Sequence, residues 1–347
     1  MNVRNSESAD DSAQQRAAML LRAGQLIGLP TETVYGLAAD ASIESAVAEV
    51  YRVKGRPAEH PLIVHVASLA HAQYWADFSE EQHAFALKLA DAFWPGPMTL
   101  IMKRKPQVPA YACADQTTIG LRVPSHPVAQ GVMKHFHALG GKGIAAPSAN
   151  RFGRVSPTQA EHVRADLGED IAWVLEGGDA DIGIESTIID LSRTSPVILR
   201  PGHISSEAIS SLLGRHVPVQ SKGGPQVSGT LEAHYAPLTP MVILKDEELP
   251  MKAAELLNQG EKLAVWVSAD LAIFLERVFG HQVPLEYLHF EVAAAEPDVF
   301  AQEMYAKLRD MDGLGVDHIL VESLPEESEW IAVKDRLYRA QTGSKKG

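Results

Sequence analysis

The sequence predicts an α/β protein with two domains. Its 347 residues exceed the usual size of one domain, which favours about two domains. Helical patterns alternate with short β-rich runs, and Gly/Pro turns mark nearly every junction. Residues 220–230 are rich in Gly, Ser and polar residues without periodicity, which is typical of a linker. We therefore predict domains at 13–216 and 240–347, with a linker at 217–239.

The first domain begins with a helical pattern at residues 13–22, followed by a strand pattern at 25–29 and a second helix at 43–51. Further helices are predicted at 80–93, 126–138 and 159–167. Further strands are predicted at 62–66, 98–103, 117–123, 143–146, 172–175, 186–191 and 197–199. These patterns together predict a mixed α/β domain.

In the second domain, predicted strands and helices alternate more regularly. Strands are predicted at 241–244, 263–267, 287–290 and 318–321. Helices are predicted between them, at 251–259, 270–278 and 297–311. Alternation at this spacing favours βαβ units and a small, mainly parallel sheet. The polar ends of the chain, residues 1–12 and 342–347, are expected to be loose.

The composition is that of a soluble globular protein, with 46% hydrophobic and 22% charged residues. No window approaches 18 consecutive apolar residues, and residues 1–12 lack the pattern of a signal peptide. The single cysteine, Cys113, excludes an intrachain disulfide and a multi-thiolate zinc site. We expect a buried, inert thiol, no membrane association and a location in the cytoplasm.

The net charge of −13 disfavours broad, sequence-independent binding of nucleic acid, because such binding depends on Lys and Arg that neutralise the phosphates. We expect instead a small anionic ligand held by a few cations, with RNA contacted weakly or through a partner protein. The standard nucleotide-binding loop GxxxxGK[ST] is missing, as are HExxH, paired CxxC and GxSxG motifs. What remains is a set of short polar segments at strand ends and turns, where α/β proteins place ligands.

Two of these segments lie early in the chain. Residues 28–37 follow a strand and offer two threonines, a carboxylate and a phenol, although a turn with a helix cap explains them equally well. Arg52, Lys54 and Arg56 come at the end of a helix, where cations also interact favourably with the helix dipole. Because Pro57 ends the helix, we predict that Lys54 and Arg56 lie in a loop and can approach a phosphate.

Four more polar residues lie at the ends of buried-looking strands. Ser148 and Asn150 present a hydroxyl and an amide directly after the strand at 143–146, where a simple turn is the alternative. Ser186 stands at the head of another strand. Arg200 ends the next one without a carboxylate nearby in sequence, so it needs an anionic partner, either structural or a ligand.

In this order the segments resemble the YrdC-type threonylcarbamoyl-AMP synthases in their longer, two-domain form. The resemblance covers nearly the whole chain, and its motifs recur in family order. They are PTETVYGL at 30–37, KGRP at 54–57 with HPLIVHV at 60–66, WPGPMTL at 94–100, TIGLRVP at 118–124, APSAN at 146–150, SPT at 156–158, ESTIID at 185–190, LRPG at 199–202 and HYAP at 234–237.

The resemblance implies a fold of two parts: a twisted mixed sheet with a concave cleft, and a smaller Rossmann-like C-terminal domain. It also implies that the HYAP segment of the linker lies over the cleft. The family signature, KxR and SxN, implies catalytic roles for four residues here: Lys54, Arg56, Ser148 and Asn150. One departure is His60, where many relatives carry Asn; both side chains can form hydrogen bonds.

The resemblance also implies two sets of binding residues. L-Threonine is expected to contact Thr33, His65, Arg122, Ala146 through its backbone, and Ser186. ATP is expected to contact Arg56, His60, Thr118, Ser148, Ser156, Arg200 and Tyr235, with Lys54 and Asn150 near the phosphates.

The implied reaction is a nucleotidyl transfer that forms L-threonylcarbamoyladenylate and pyrophosphate from L-threonine, bicarbonate and ATP, for the modification of an adenosine in tRNA. Mg²⁺ is expected with ATP, since it prefers phosphates with a few carboxylates and waters. Glu32 and Glu185 are candidate ligands, although a salt bridge or cap explains each equally well. Proteins that transfer the threonylcarbamoyl group to tRNA are the expected downstream partners.

Three other functions are compatible with parts of the sequence. An RNA-binding or ribosome-assembly module of the same fold is the main alternative, and the acidic charge balance counts against it. A carbamoyltransferase of the hydrogenase-maturation type carries additional cysteines, whereas this chain has one. A catalytically inactive relative is disfavoured because both signature pairs are present.

Overall fold

The computed structural model of the chain describes residues 9–77, 80–220, 224–280, 283–284 and 286–345. The chain folds into two compact units. The first contains residues up to Phe152 together with Ser156–Thr230, and the second contains Gly153–Val155 together with Leu231–Gly347. Residues 217–230 of the predicted linker therefore belong to the first unit, although 221–223 lie outside the described residues. Residues 231–239 belong to the second.

The first unit alternates helices and short strands, as its sequence predicts. Its described α-helices are α1 (Asp11–Arg22), α2 (Glu44–Lys54), α3 (Leu69–Trp75), α4 (Glu80–Phe93), α5 (Pro127–Ala138), α6 (Ala160–Leu167) and α7 (Ser206–Leu213). Its described strands are β1 (Ile27–Leu29), β2 (Gly36–Asp40), β3 (Ile63–His65), β4 (Ala76–Asp77), β5 (Met98–Arg104), β6 (Thr118–Arg122), β7 (Ile144–Ala145), β8 (Trp173–Val174), β9 (Thr187–Asp190) and β10 (Val197–Arg200).

The strands of the first unit form one mixed sheet in the order β10-β9-β5-β6-β3-β7-β2-β1-β8, with β4 paired to β5. β3 runs parallel to β6, whereas β5 runs antiparallel to β6 and parallel to β9. One apolar cluster packs α2, α4 and α7 against the central strands, and a second packs α1 and α5 against β1 and β7. Burial of apolar side chains on helices and strands alike holds the sheet in place. Cys113 is buried, as predicted.

The second unit is a smaller α/β layer structure. Its described strands, β11 (Met241–Leu244), β12 (Leu263–Val267), β13 (Leu288–Val292) and β14 (His318–Glu322), form a sheet in the order β11-β14-β12-β13. Every pairing in this sheet is parallel. The helices are α8 (Leu249–Asn258), α9 (Ala269–Phe279), α10 (Pro297–Gly313) and α11 (Ile331–Ser344). The prediction of a small parallel sheet with crossover helices is confirmed.

Several sequence predictions of local structure were wrong. Lys54 does not lie in a loop: α2 continues to it, and Gly55 ends the helix in the left-handed conformation, with φ of 63°. Asp11 and Ser12 were expected to be loose but form the first turn of α1, which the Asp10 side chain caps. The expected loose C-terminus is also helical up to Ser344, whose hydroxyl accepts a hydrogen bond from Met241 N. The outermost residues, 1–8 and 346–347, lie outside the described residues.

Candidate active site

A row of polar side chains crosses three neighbouring strands of the first sheet. His65 on β3 lies directly opposite Arg122 on β6, and Arg122 lies directly opposite Thr99 on β5. Residues opposite each other in a sheet project from the same face. All three side chains are buried. The strand order therefore brings an imidazole, a guanidinium and a hydroxyl together on one face.

Arg122 is held by the segment that precedes β2. Its Nη2 lies 2.7 Å from Glu32 Oε1, and its Nη1 donates a 2.9 Å hydrogen bond to Thr33 Oγ1. Its Nε donates to the carbonyl of Gly96 at 3.3 Å. Burial alone would raise the pKa of Glu32, but the adjacent Arg122 outweighs burial and the pKa is lowered. The Glu32 carboxylate is thus ionised at neutral pH, and its pairing fixes the direction of the Arg122 guanidinium.

His65 is a buried, neutral imidazole. Its side chain is 3% exposed, and neither ring nitrogen makes a hydrogen bond of normal geometry to the described residues. Burial, and secondly the positive charge of Arg122, lower the pKa of His65 from 6.5 to about 3. A buried imidazole without hydrogen bonds costs free energy unless a ligand supplies them. His65 is therefore a polar group available to a bound molecule.

Ser186 joins this row to a second arginine. Its Oγ lies 2.8 Å from Thr99 Oγ1. Arg200 Nη2 donates to the Ser186 carbonyl at 2.9 Å and to its hydroxyl at 3.2 Å. Gly202 permits this approach, because a Cβ there would lie 2.4 Å from Thr187 N and 2.7 Å from Ser186 C. The LRPG turn thus needs glycine to bring Arg200 to Ser186.

Lys54 connects the two signature motifs. Its Nζ donates to the carbonyls of Ser148 and Asn150 at 2.5 and 2.6 Å. Burial, and secondly the charge of Arg56, hold the pKa of Lys54 well below its usual range. The loop that carries Ser148 is also fixed from the other side, since Ala149 N donates to Tyr35 O at 2.8 Å. Lys54 therefore positions the backbone of the SxN loop.

Arg56 and Arg200 both contact one residue of the predicted linker. Arg56 Nη2 donates to Ser228 Oγ at 3.0 Å and to the carbonyl of Pro61 at 2.8 Å. Arg200 Nη1 donates to the carbonyl of Ser228 at 2.9 Å. The segment around Ser228 packs on the sheet next to Thr118, which is partly exposed. The two arginines expected at ATP are thus brought together through Ser228.

The remaining predicted residues of the first unit lie around this centre. Ser156 Oγ donates to Glu185 Oε1 at 2.7 Å. The Ala146 N–H donates to the carbonyl of Ile63 at 3.2 Å. The half-buried ring of His60 packs edge-on against Phe152 at 5.4 Å. Burial, then the charge of Arg56, lower the pKa of His60.

Tyr235 belongs to the second unit. It is 1% exposed and has a positive φ of 63°. Its ring lies 5.5 Å from that of Tyr305, and the guanidinium of Arg336 lies 5.8 Å from it. In the second unit the segment that contains Tyr235 is also held by Asp312, which accepts from Leu238 N and Thr239 N.

The proposed metal ligands have protein partners. Glu32 is paired with Arg122, and Glu185 accepts from Ser156. Among the residues that the structure describes, no group of three or more His, Cys, Asp or Glu could hold a metal ion. These residues fit a cation that is coordinated mainly by phosphate oxygens and water better than one that is coordinated by several carboxylates. Within the described residues, no helix is both long enough and apolar enough to cross a membrane.

Sequence reasoning missed three contributors to this site: Thr99, Gly202 and Ser228. Thr99 is the polar residue of the otherwise apolar run MTLIM, which was a usable signal. The role of Gly202 depends on how two distant turns meet, and that of Ser228 depends on the path of the linker. Neither can be deduced from residue spacing.

Both units of the chain match models of known protein families. Residues 19–202 match the family model described as Telomere recombination. Residues 204–342 match the model described as Threonylcarbamoyl-AMP synthase, C-terminal domain. The chain is therefore of the class that joins these two domains.

Relatives that match this chain over nearly its full length identify the family. The threonylcarbamoyl-AMP synthase of Pyrococcus abyssi is 36% identical, over 98% of this chain and 96% of the relative. That of Bacillus subtilis is 34% identical, over 99% and 97%. The crystal structure of P. abyssi Sua5 complexed with L-threonine has a TM-score of 0.84 and 32% identity, covering 96% of each chain. The chain belongs to the threonylcarbamoyl-AMP synthase family, and the predicted resemblance and fold class are confirmed.

Proposed function

We propose that this protein joins L-threonine, bicarbonate and ATP to form L-threonylcarbamoyladenylate and pyrophosphate, for threonylcarbamoyladenosine modification of tRNA. The names of its full-length relatives support this function and do not favour an RNA-binding module. One observation in the structure carries the proposal furthest. A continuous set of contacts links Arg122, Thr99, Ser186, Arg200, Ser228 and Arg56. Residues expected at threonine thus adjoin residues expected at ATP.

The side chains of the polar row are suited to bind threonine. Arg122 presents a fixed guanidinium, which suits a carboxylate. His65 and Ser186 supply neutral hydrogen-bonding groups, and Thr33 adds a hydroxyl beside Arg122. The structure of P. abyssi Sua5 with L-threonine supports an amino-acid site in this fold.

Two arginines of the site, Arg56 and Arg200, are suited to bind the phosphates of ATP. Arg56 and Arg200 now donate to Ser228, and a nucleotide phosphate is a stronger acceptor than a serine hydroxyl or a carbonyl. We propose that the phosphates replace Ser228 as the partner of both arginines. Lys54 then keeps the SxN loop, with Ser148 and Asn150, in place beside them.

The reaction needs two bond-forming steps. The deprotonated amine of threonine attacks the carbon of bicarbonate, and a carbamate forms with loss of water. A carbamate oxygen then attacks the α-phosphorus, and the bond from that phosphorus to the oxygen bridging it to the β-phosphorus breaks as pyrophosphate leaves. Negative charges crowd together here, so positioning and fixed positive charge supply the catalysis. Arg56 and Arg200 hold the charged phosphates, while Arg122 orients the amino acid.

The expected cofactor and partners fit the same chemistry. Mg²⁺, when bound with ATP, would neutralise phosphate charge, and Glu185, whose Oε1 accepts from Ser156, is the candidate carboxylate on the ESTIID segment. The product is a mixed anhydride that water destroys, so a linker segment closing over it would protect it. Downstream, a protein that transfers the group to tRNA must consume it. A cytoplasmic location suits the buried single thiol of Cys113.

Pyrophosphate release tests this function. The purified protein with Mg-ATP and bicarbonate should release pyrophosphate only when L-threonine is added. Arg56→Ala should reduce the rate by about 100- to 1,000-fold, the usual effect of removing one donor to a developing negative charge. Arg52→Ala is the matched control, because Arg52 is exposed and pairs with Glu49, and it should retain the wild-type rate. Threonine-independent release, or equal loss in both variants, would contradict the proposal.

A further inference from the structure

Thr99 is buried on β5, at the end of the polar row that adjoins Ser186, and the proposed function gives it no role. Its side chain is fully buried, in a strand whose neighbours along the chain are apolar. Within the described residues its hydroxyl makes one hydrogen bond, of 2.8 Å, to Ser186 Oγ. A buried hydroxyl is costly in an apolar strand unless a partner compensates it. Here the partner is a residue of the proposed threonine site.

The neighbouring Thr187 gives a useful contrast. It is equally buried, but its Oγ1 donates to the carbonyl of Ile204 at 2.9 Å and accepts from Ile204 N at 3.1 Å. Both of these bonds join side chain to backbone and close a turn. The Thr187 hydroxyl is thus structural, whereas that of Thr99 acts on another side chain.

Either hydroxyl of the Thr99–Ser186 pair could be the donor, and the hydrogen bonds of Ser186 with a bound amino acid indicate which one donates. A hydroxyl has one proton to donate and two positions at which it accepts. Arg200 can only donate, so Ser186 Oγ accepts from it at 3.2 Å. If Ser186 is to donate its proton to an oxygen of a bound amino acid, its remaining accepting position must receive the proton of Thr99.

We propose that Thr99 is a positioning residue: it donates to Ser186 and thereby directs the Ser186 proton towards an oxygen atom of bound L-threonine. This inference rests on the proposed function. Arg200 and Thr99 together occupy both accepting positions of the Ser186 hydroxyl. The Ser186 proton can then point in only one remaining direction, so the hydroxyl is already oriented before the ligand binds.

Threonine affinity measured by calorimetry, without ATP, tests the proposal. Thr99→Val keeps the shape of the side chain but removes the donor. It should raise the Kd for L-threonine about tenfold, as expected for one neutral hydrogen bond. Thr99→Ser should restore the wild-type Kd within about twofold, and Thr99→Cys, with its weak S–H donor, should be intermediate. The KM for ATP should stay within about twofold in all three.

Two controls separate positioning from general packing. Thr187→Val should lower the melting temperature but leave the threonine Kd unchanged. In a double-mutant cycle, Thr99→Val should have no further effect on Kd once Ser186 is Ala, because Thr99 acts through that hydroxyl. Additive effects of the two substitutions would overturn the inference, as would an unchanged Kd in Thr99→Val or equal weakening of threonine and ATP. Absence of threonine binding by the wild type would instead overturn the proposed function, and this inference with it.

Discussion

At the scale of single residues, the site is built from charged and polar groups that the fold has removed from water. Glu32 and Arg122 are 4% and 5% exposed, and they lie 2.7 Å apart. Leaving one member of such a buried pair without the other is costly. The Glu32 carboxylate therefore keeps Arg122 in place while the site is empty. Lys54 and His65 are held with lowered pKa values by burial in the same region.

Replacing Glu32 should show what the pair contributes. We expect Glu32→Gln to lower the free energy of unfolding at pH 7 by about 3 kcal/mol, because a buried guanidinium loses its counter-charge. The pKa of Glu32 is lowered in the folded state, so this difference is complete above the unfolded value of 4.5 and shrinks as the pH falls through the lower folded value. Urea denaturation measures it. Glu49→Gln, in an exposed pair with Arg52, is the control and should cost less than about 1 kcal/mol. Equal losses would contradict this account.

His65 should make the protein sensitive to acid. Its pKa falls from 6.5 to about 3 on folding, so its contribution to stability is complete above pH 6.5 and is lost as the pH falls towards 3. Between pH 6.5 and 4 the wild type should lose about 3 kcal/mol more than His65→Asn. Chemical denaturation across this range measures the difference. His216 is exposed, and His216→Asn should follow the wild type; parallel curves for wild type and His65→Asn would refute the assignment.

At the scale of elements, close contacts between turns and strand ends shape the site. The LRPG turn after β10 approaches the start of β9 so closely that Gly202 has no room for a side chain. The atoms in the way are backbone atoms, which cannot rotate aside. This contact fixes the distance between Arg200 and Ser186.

A methyl group at position 202 should therefore disturb both stability and binding. Gly202→Ala should cost about 3 kcal/mol of unfolding free energy, as overpacking does, and should weaken L-threonine binding because Ser186 must shift. Thermal denaturation and calorimetry measure the two effects. Gly313→Ala is the control, since a Cβ there meets nothing within 4 Å. If both variants bind threonine like the wild type, the turn does not set the position of Ser186.

The elements that the sequence predicted well are those with strong local patterns. The apolar run at β5 and the alternation in the second unit were placed within a few residues of the structure. β2 was missed because its sequence, GLAAD, lacks residues that favour strands, and pairing with β1 and β7 forms it. α7 was also missed, although Ser205 caps its start and Gly214 ends it.

The site was predicted in its residue types but not in its contacts. KxR and SxN were found from the motifs, yet the sequence could not show that Lys54 binds the carbonyls of the SxN loop. The Thr99–Ser186 bond depends on β5 and β9 being neighbours, although 87 positions separate the two residues. Strand order of this kind comes from tertiary packing, which local patterns do not encode.

At the scale of the whole molecule, the chain combines two units of different design. The first carries the polar row on a mixed sheet, and the second is a parallel sheet with crossover helices. The predicted linker is divided between them, with Ser228 in the first unit and Tyr235 in the second. Each end of this segment is hydrogen-bonded within its own unit.

Deletion of the linker should separate folding from synthesis. We expect removal of residues 220–237 to abolish net formation of the adenylate, because water then reaches the carbamate and the anhydride. The first unit should stay folded, since its sheet and its two large apolar clusters lie outside the deleted segment, which contributes Val227 to a smaller cluster. Circular dichroism and product assays test the two halves of this prediction. Unchanged synthesis by the deletion variant would show that the linker has no protective role.

The identity of the product tests the central claim most directly. The protein should be incubated with L-threonine, ATP, Mg²⁺ and ¹³C-bicarbonate, and the products separated quickly for mass spectrometry. We predict an adenylate that contains threonine and one ¹³C atom, formed in step with pyrophosphate and absent when any substrate is omitted. Release of pyrophosphate or phosphate without a ¹³C-labelled adenylate would contradict the proposed reaction.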